Sequence, residues 1–323
     1  MSLPARRFGP IVVVLVAIVL APAAAVPAQA TEDTVTLEKQ LDAALAAGDR
    51  AAALALAERL ATAAEERHVD ALVRVARLHC QLGHHDEALA WLERAHATGF
   101  VDAYALRRDE GFAGLRGDDR FVRLSRAIWA KGYIAMLERP ERDDFQQPDR
   151  VMAALALRPG ERVADIGAGS GYFTRRVARA VGPTGVVWAI DIAQEMLDYL
   201  GARAADEKLA NITLVKVERD DPRLPAGQVD TVLMVDTLHY IKERAAYCRR
   251  LRPGLSPGGR VVVIDYIPKP WEERPWGPPP EQKMSREEVD AAMAEAGLVP
   301  VRVHDFLTEQ FFVEYRIAPA TTP

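Results

Sequence analysis

The hydrophobic positions along the chain fall into three regimes. Residues 11–26 are apolar except for Pro22, with Arg6 and Arg7 ahead of them and Ala28-Gln-Ala30 behind. A basic start, an apolar run and small residues before polar Thr31 have the order of a secretory signal peptide, and the run is short for a membrane span. Residues 1–30 are therefore expected to send the protein to the periplasm or the exterior, as a cleaved leader or as an N-terminal membrane anchor. From about residue 37 to 129 apolar residues recur at helical spacing in an alanine-rich background, which predicts a helical segment over 31–130. Prolines and charges over 139–149 interrupt that pattern, and 131–150 reads as a linker. Short apolar runs then alternate with helical stretches: 163–166, 185–192, 211–217, 230–235 and 260–266, followed by 299–303 and 311–317. Ser285-Arg-Glu-Glu288 is a capping box opening the last helix. The alternation predicts an α/β domain over 151–318, Rossmann-like and seven-stranded, its last two strands a hairpin. Residues 319–323 are left as a tail.

Within the helical segment, residues 46–54 and 81–89 match each other, and Gly48 and Gly83 lie 35 residues apart. That is close to the period of the tetratricopeptide helix-turn-helix unit, which the second copy resembles through Leu72, Gly83, Ala88, Leu92 and Ala95. Gly48 and Ala53 carry the likeness in the first copy, and residues 109–124 resemble the segment that closes such arrays. Two repeats are fewer than a free-standing solenoid needs. The helices therefore read either as a structural extension or as a groove for a protein partner. His79, His84, His85 and His96 are expected on the surface rather than in a metal site.

Composition narrows the partners. Loss of Arg6 and Arg7 with a leader would take the net charge from −5 to about −7. An acidic body with no basic run is unsuited to general nucleic-acid or anionic-membrane binding. The two cysteines, Cys80 and Cys248, fall in different predicted domains and read as buried free thiols; no Cys/His spacing suits zinc, and no metal is expected.

The candidate chemistry starts at 163–166, a strand that runs into Gly167, Gly169 and Gly171 and then into a helix over 172–180. A strand, a glycine turn and a helix form the crevice where α/β proteins hold nucleotide-like ligands. Asp191 ends the second strand 20 residues beyond Gly171, the separation at which a carboxylate meets ribose hydroxyls. Its two acceptor oxygens match a vicinal diol. Asp220 and Asp221 follow the third strand, Asp236 and His239 the fourth, and a Pro257-Gly-Gly259 turn precedes the fifth.

The loop is Gly-x-Gly-x-Gly, not the Gly-x-Gly-x-x-Gly of nicotinamide enzymes. With Asp165, Asp191, Asp220, Leu224-Pro225, Asp230 and the Pro-Gly-Gly turn, residues from about 140 to 317 resemble a class I S-adenosylmethionine-dependent methyltransferase. Within that superfamily they are similar to bacterial enzymes related to ubiquinone/menaquinone methyltransferases, a likeness that extends to Phe145-Gln-Gln-Pro-Asp149 and Val235-Asp-Thr-Leu-His239. The resemblance implies S-adenosylmethionine as cofactor and a small-molecule or lipid-like methyl acceptor. It also implies that the backbone of Gly167, Ala168, Gly169 and Gly171 lines the methionine portion, and that Asp165 faces its amino group through water. Asp191, with Ile192 beside it, would hold the ribose, and Asp220 or Asp221 would lie near the adenine amine.

Asp236 and His239 are the candidate catalytic residues. Imidazole titrates near neutrality, so His239 suits a general base, although a packing role would explain the same residue. The proline-rich stretch 268–280 carries Trp271 and Trp276, which read either as a lid over an apolar or aromatic substrate or as loop anchors. Because S-adenosylmethionine is a cytoplasmic cofactor, an exported scaffold with a catalytically silent methyltransferase fold is the alternative reading.

Overall fold

A computed structural model describes residues 32–63, 69–270, 272–274, 276–279 and 282–319. The predicted leader or anchor over 1–30 and the indole of Trp271 lie outside the described residues. The chain divides into two units between Leu137 and Glu138.

The first unit consists of α1 (Glu32–Ala46), α2 (Arg50–Ala63), α3 (Val69–Gln81), α4 (His85–Thr98), α5 (Ala103–Arg108) and α6 (Asp119–Leu137). Gly48 and Gly83 take φ of +73° and +82° in the α1–α2 and α3–α4 turns. Left-handed backbone costs glycine nothing sterically, so the 35-residue spacing marks the same turn in two consecutive helix pairs. Ala53, Ala57, Ala76, Ala88 and Ala95 are buried between the helices, with Leu41, Val75 and Leu92. His79 departs from expectation. It is buried, with ring nitrogens 3.0 Å from Glu58 Oε1 and 3.4 Å from His84 Nδ1.

The second unit begins earlier than the pattern predicts. Residues 131–137 complete α6, and the rest of the expected linker folds as α7 (Arg142–Gln146) and the start of α8 (Pro148–Leu155). Pro148 does not break this structure because it occupies the first turn of α8, where its missing N–H has no intrahelical partner. Gln147 turns the chain between the two helices at φ +44°, and Arg142 and Gln146 are buried. The chain continues through β1 (Arg162–Ile166), α9 (Tyr172–Val181), β2 (Val186–Asp191), α10 (Gln194–Asp206), β3 (Ile212–Lys216) and β4 (Val229–Val235). It closes with α11 (Arg244–Leu251), β5 (Leu255–Tyr266), α12 (Arg286–Glu295), β6 (Leu298–His304) and β7 (Gln310–Ile317). The capping box at Ser285 and Glu288 is formed in full.

The seven strands lie in the order β3-β2-β1-β4-β5-β7-β6, with β1 to β5 parallel and β7 antiparallel to both neighbours. The inner strands are buried on both faces, which explains their nearly continuous apolar runs. Asp230, near the start of β4, bonds Arg162 at 2.8 Å and Ser256 at 2.6 Å, and the Arg162 hydrogen bond brings its carboxyl down to about 2. It is a clamp on strand starts, at the end of the sheet away from the glycine loop. The strand order reverses between β1 and β4. In an open parallel sheet a crevice forms beyond the carboxyl ends of those strands.

Cys80 and Cys248 are buried free thiols in separate units, and burial pushes the Cys248 thiol up to about 12. Among the described residues no helix is long and apolar enough to cross a membrane, and no group of three or more His, Cys, Asp or Glu is placed to hold a metal ion.

Candidate active site

The glycine loop is held from β2. Gly167 N–H and Ala168 N–H donate to Ile190 O at 2.8 and 3.1 Å, and Gly169 N–H donates to Asp191 Oδ2 at 2.8 Å. The other oxygen of Asp191 accepts from Ala193 N–H at 2.8 Å. One carboxylate thus ties the loop to the end of β2 through backbone N–H groups and retains acceptor capacity. Gly167, Gly169 and Gly171 have φ of +75°, +53° and +82°. A Cβ on Gly167 would meet Thr237 Oγ1 at 2.2 Å, and one on Gly171 would meet Leu200 Cδ1 at 2.1 Å. These two glycines are therefore required by the protein's own packing as well as by the turn. At the loop apex Ser170 Oγ is buried without a hydrogen-bond partner.

Asp165 is buried beneath the loop, where its Oδ2 accepts from the Thr174 hydroxyl at 2.5 Å. Burial raises its carboxyl to about 6, aided by the charge of Asp191 and opposed by Thr174 and Arg142. Burial also raises the Asp191 carboxyl. Ile192, next along the chain, leaves 46% of its surface exposed. Asp220 and Asp221 lie in an exposed turn: Asp220 O accepts from the Arg250 guanidinium, and Asp221 Oδ1 caps Arg223 N–H at 2.9 Å.

Asp236 follows β4 with φ +51°, unusual for a residue with a Cβ. Its Oδ1 accepts from Gln310 Nε2 at 2.6 Å and its Oδ2 from Gln146 Nε2 at 3.0 Å. Burial raises its carboxyl to about 6, with Asp265 adding to the shift and Arg142, His239 and Gln310 opposing it. Arg142 bonds Gln146 Oε1 at 2.5 Å and lies 4.0 Å from the Tyr172 ring centroid. α7, β4 and β7 therefore converge on one buried polar cluster that only tertiary structure assembles.

His239, in a short 3₁₀ turn after β4, is 4% exposed. Its Nδ1 is 2.7 Å from Asp265 Oδ1, its backbone N–H donates to Asp265 Oδ2 at 3.3 Å, and its Nε2 is buried without a partner. Asp265 is the residue that sequence reasoning missed. The available signal was a lone carboxylate in the apolar run of residues 260–266. Trp276 packs in an aromatic cluster, with ring centroids 4.7 Å from Phe145 and 6.0 Å from Tyr266. Its loop is anchored by Arg274, which is 1% exposed and donates to Ile267 O at 2.9 Å and Glu309 O at 3.0 Å.

The seven-strand order, the glycine loop held by an acidic β2 end and the polar cluster beyond β4 define a class I methyltransferase fold. Residues 163–259 match the family described as "Methyltransferase domain". A ubiquinone/menaquinone biosynthesis C-methyltransferase UbiE of Burkholderia vietnamiensis is 35% identical over 121 residues, 38% of this chain and 49% of that protein. The corresponding Burkholderia cenocepacia protein is 34% identical over the same length. The chain thus spans about half the length of the curated relatives it matches. A crystal structure of a SAM-dependent methyltransferase from Aquifex aeolicus superposes with a TM-score of 0.54 at 29% identity, covering 58% of this chain and 98% of that one. The crevice fits S-adenosylmethionine. Asp191 has acceptor capacity for a diol, Ile192 offers uncovered apolar surface beside it, and Ser170 Oγ is an unsatisfied polar atom at the loop.

Proposed function

We propose that the α/β unit is an S-adenosylmethionine-dependent methyltransferase acting on a small-molecule or lipid-like acceptor by direct in-line transfer. The observation that carries this reading is Asp191, whose carboxylate ties down the glycine loop while keeping acceptor capacity at the crevice. The bound cofactor supplies an electrophilic methyl group on a cationic sulfonium. In-line displacement asks the protein chiefly to position two reactants, and here also to remove a proton. Gly167, Ala168, Gly169 and Gly171 would line the methionine portion, Asp165 would face its amino group, and Asp191 with Ile192 would hold the ribose. Asp220 or Asp221 would stand near the adenine. Asp236, with its carboxylate fixed by two amides, contributes negative potential, and His239 acts as the base. Trp276, which packs in the aromatic cluster, would border the acceptor. The relatives named as quinone-biosynthesis C-methyltransferases support a ring-bearing acceptor. Saturable binding of S-adenosylhomocysteine to the full chain is the first test; calorimetry that shows none would sink the proposal.

The two raised carboxyls add a pH dependence. Asp165 and Asp236 have folded values near 6, above the unfolded value of about 3.9, so the proton-bound forms favour the fold. That stabilisation is complete below the unfolded value and is lost as pH rises through about 6. A cationic ligand favours the ionised forms instead, so its affinity rises over the same interval. S-adenosylmethionine binding is expected to weaken about tenfold between pH 7.5 and pH 5. Binding of S-adenosylhomocysteine, which lacks the sulfonium charge, should change less. Equal pH dependence of the two ligands in calorimetry would remove Asp236 from the sulfonium's surroundings, since the amino group that Asp165 would face is common to both.

We also read residues 1–30 as an export signal and the paired helices α1–α4 as tetratricopeptide-like. Export is read from the basic, apolar and small-residue order alone. Sequencing of the native N-terminus is expected to begin at Thr31; a start at Met1 would exclude cleavage.

A further inference from the structure

The Asp265–His239 pair has a defined proton arrangement. Both side chains are almost fully enclosed, at 1% and 2% exposure. The two oxygens of Asp265 face nitrogen donors: the backbone N–H of His239 at 3.3 Å and of Tyr266 at 2.8 Å, and His239 Nδ1 at 2.7 Å. A carboxylate that only accepts leaves Nδ1 as the donor, so the neutral ring carries its proton there and Nε2 holds a bare lone pair. That lone pair is buried and unpartnered. A histidine retained for packing would satisfy both nitrogens or leave one in water.

The surroundings are aromatic. The Tyr240 ring centroid is 4.0 Å from that of His239 and Tyr266 is at 6.0 Å; Tyr266 in turn meets Phe145 and Trp276. The other charged neighbours are Asp236, placed through the same turn after β4, and Arg274, 4.9 Å from the Tyr266 ring. Bulk water is excluded from Nε2, so its proton donor has to be a group that enters the aromatic cluster.

We propose that Asp265 is a positioning residue that holds His239 in the Nδ1–H form, so that Nε2 takes the proton of an aromatic hydroxyl on the methyl acceptor. This rests on the methyl-transfer reading. The hydroxyl proton passes to Nε2 and the resulting imidazolium is balanced by Asp265. The electron pair released on the acceptor forms the bond to the methyl carbon at its oxygen, or at the conjugated ring carbon, whose own C–H proton then moves to the oxygen and restores the aromatic ring. The carbon–sulfur pair stays on sulfur, and the imidazolium gives its proton to water that follows the departing product into the cluster before it closes.

The test uses the full chain labelled with ¹⁵N-histidine. Long-range ¹H–¹⁵N spectra are expected to show the neutral His239 ring protonated on Nδ1. In Asp265→Asn the amide can donate to Nδ1 and transfer the ring proton to Nε2. S-adenosylhomocysteine affinity should stay within threefold, which separates this outcome from misfolding and from failure of the methyl-transfer reading. With 1-naphthol as the probe acceptor, kcat should fall at least 100-fold in Asp265→Asn and in His239→Gln, with KM within threefold. 4-Nitrophenol, a stronger acid that is ionised at a mildly alkaline pH where 1-naphthol keeps its proton, should lose much less at that pH. A wild-type ring protonated on Nε2, or a tautomer unchanged in Asp265→Asn, overturns the proposal. So does a kcat loss below threefold, or equal losses for the two phenols.

Discussion

Replacing Asp191 by alanine is expected to weaken S-adenosylhomocysteine binding about 100-fold. Hydrogen bonds to a charged acceptor contribute about 1.5–3 kcal/mol each, and a ribose diol would make two of them. The substitution also releases the N–H groups of Gly169 and Ala193, which the carboxylate holds at 2.8 Å each. Loss of loop order and loss of ribose contacts therefore act together. Asp191→Asn separates them, since its single carbonyl oxygen can keep one backbone donor while its amide group faces the other. An intermediate loss of about tenfold is expected there. Stability gives the second readout. Burial disfavours the Asp191 charge, which offsets part of the about 1–3 kcal/mol cost of setting the Asn amide against a backbone donor, so Asp191→Asn should lose less than that. Binding weakened about tenfold in an Asp191→Asn variant that still unfolds cooperatively and stays folded at the assay temperature assigns Asp191 to the ligand. Wild-type affinity in Asp191→Ala would mean that the cofactor is held elsewhere.

Much of this arrangement was legible because it is local in sequence. The apolar run of β1, the three glycines and Asp191 form one contiguous strand–turn–helix–strand unit, and period and spacing suffice to read it. The β6–β7 hairpin and the capping box at Ser285 are local for the same reason. The stretch 131–150 has the prolines and charges of a linker, whereas Pro148 starts a helix and Arg142 and Gln146 are buried through contacts far along the chain. Gln146 meets Asp236 and Gln310, neither of them near it in sequence. His239 and Asp265 lie 26 residues apart and meet only because β4 and β5 are neighbours in the sheet. Local pattern located the glycine-loop crevice, while the contacts of Asp236 with Gln310 and of His239 with Asp265 are products of strand order.

The same logic gives a strong prediction at Gly167, which touches both groups of residues. Gly167→Ala places a side chain at φ +75°, which costs about 1–2 kcal/mol for a residue with a Cβ. It also forces the new methyl to within 2.2 Å of Thr237 Oγ1 and 2.6 Å of Thr237 Cγ2. Overpacking of this kind costs a further 1–3 kcal/mol or so. Thr237 cannot move away freely, because its hydroxyl donates to Val235 O at 2.9 Å at the end of β4. The α/β unit is therefore expected to lose about 2–5 kcal/mol in urea unfolding, together with measurable S-adenosylhomocysteine binding. Thr237→Ala alone should cost about 1 kcal/mol, the value of one hydrogen bond. In the double variant the steric part of the Gly167→Ala penalty should be largely removed while the backbone part remains. The two substitutions are thus non-additive, with a coupling of about 1–3 kcal/mol in the stabilising direction. Additive costs would show that the loop glycine is set by backbone conformation alone. The coupling expected here instead ties the glycine loop to Thr237, two residues from His239, so that a change on either side is felt by the other.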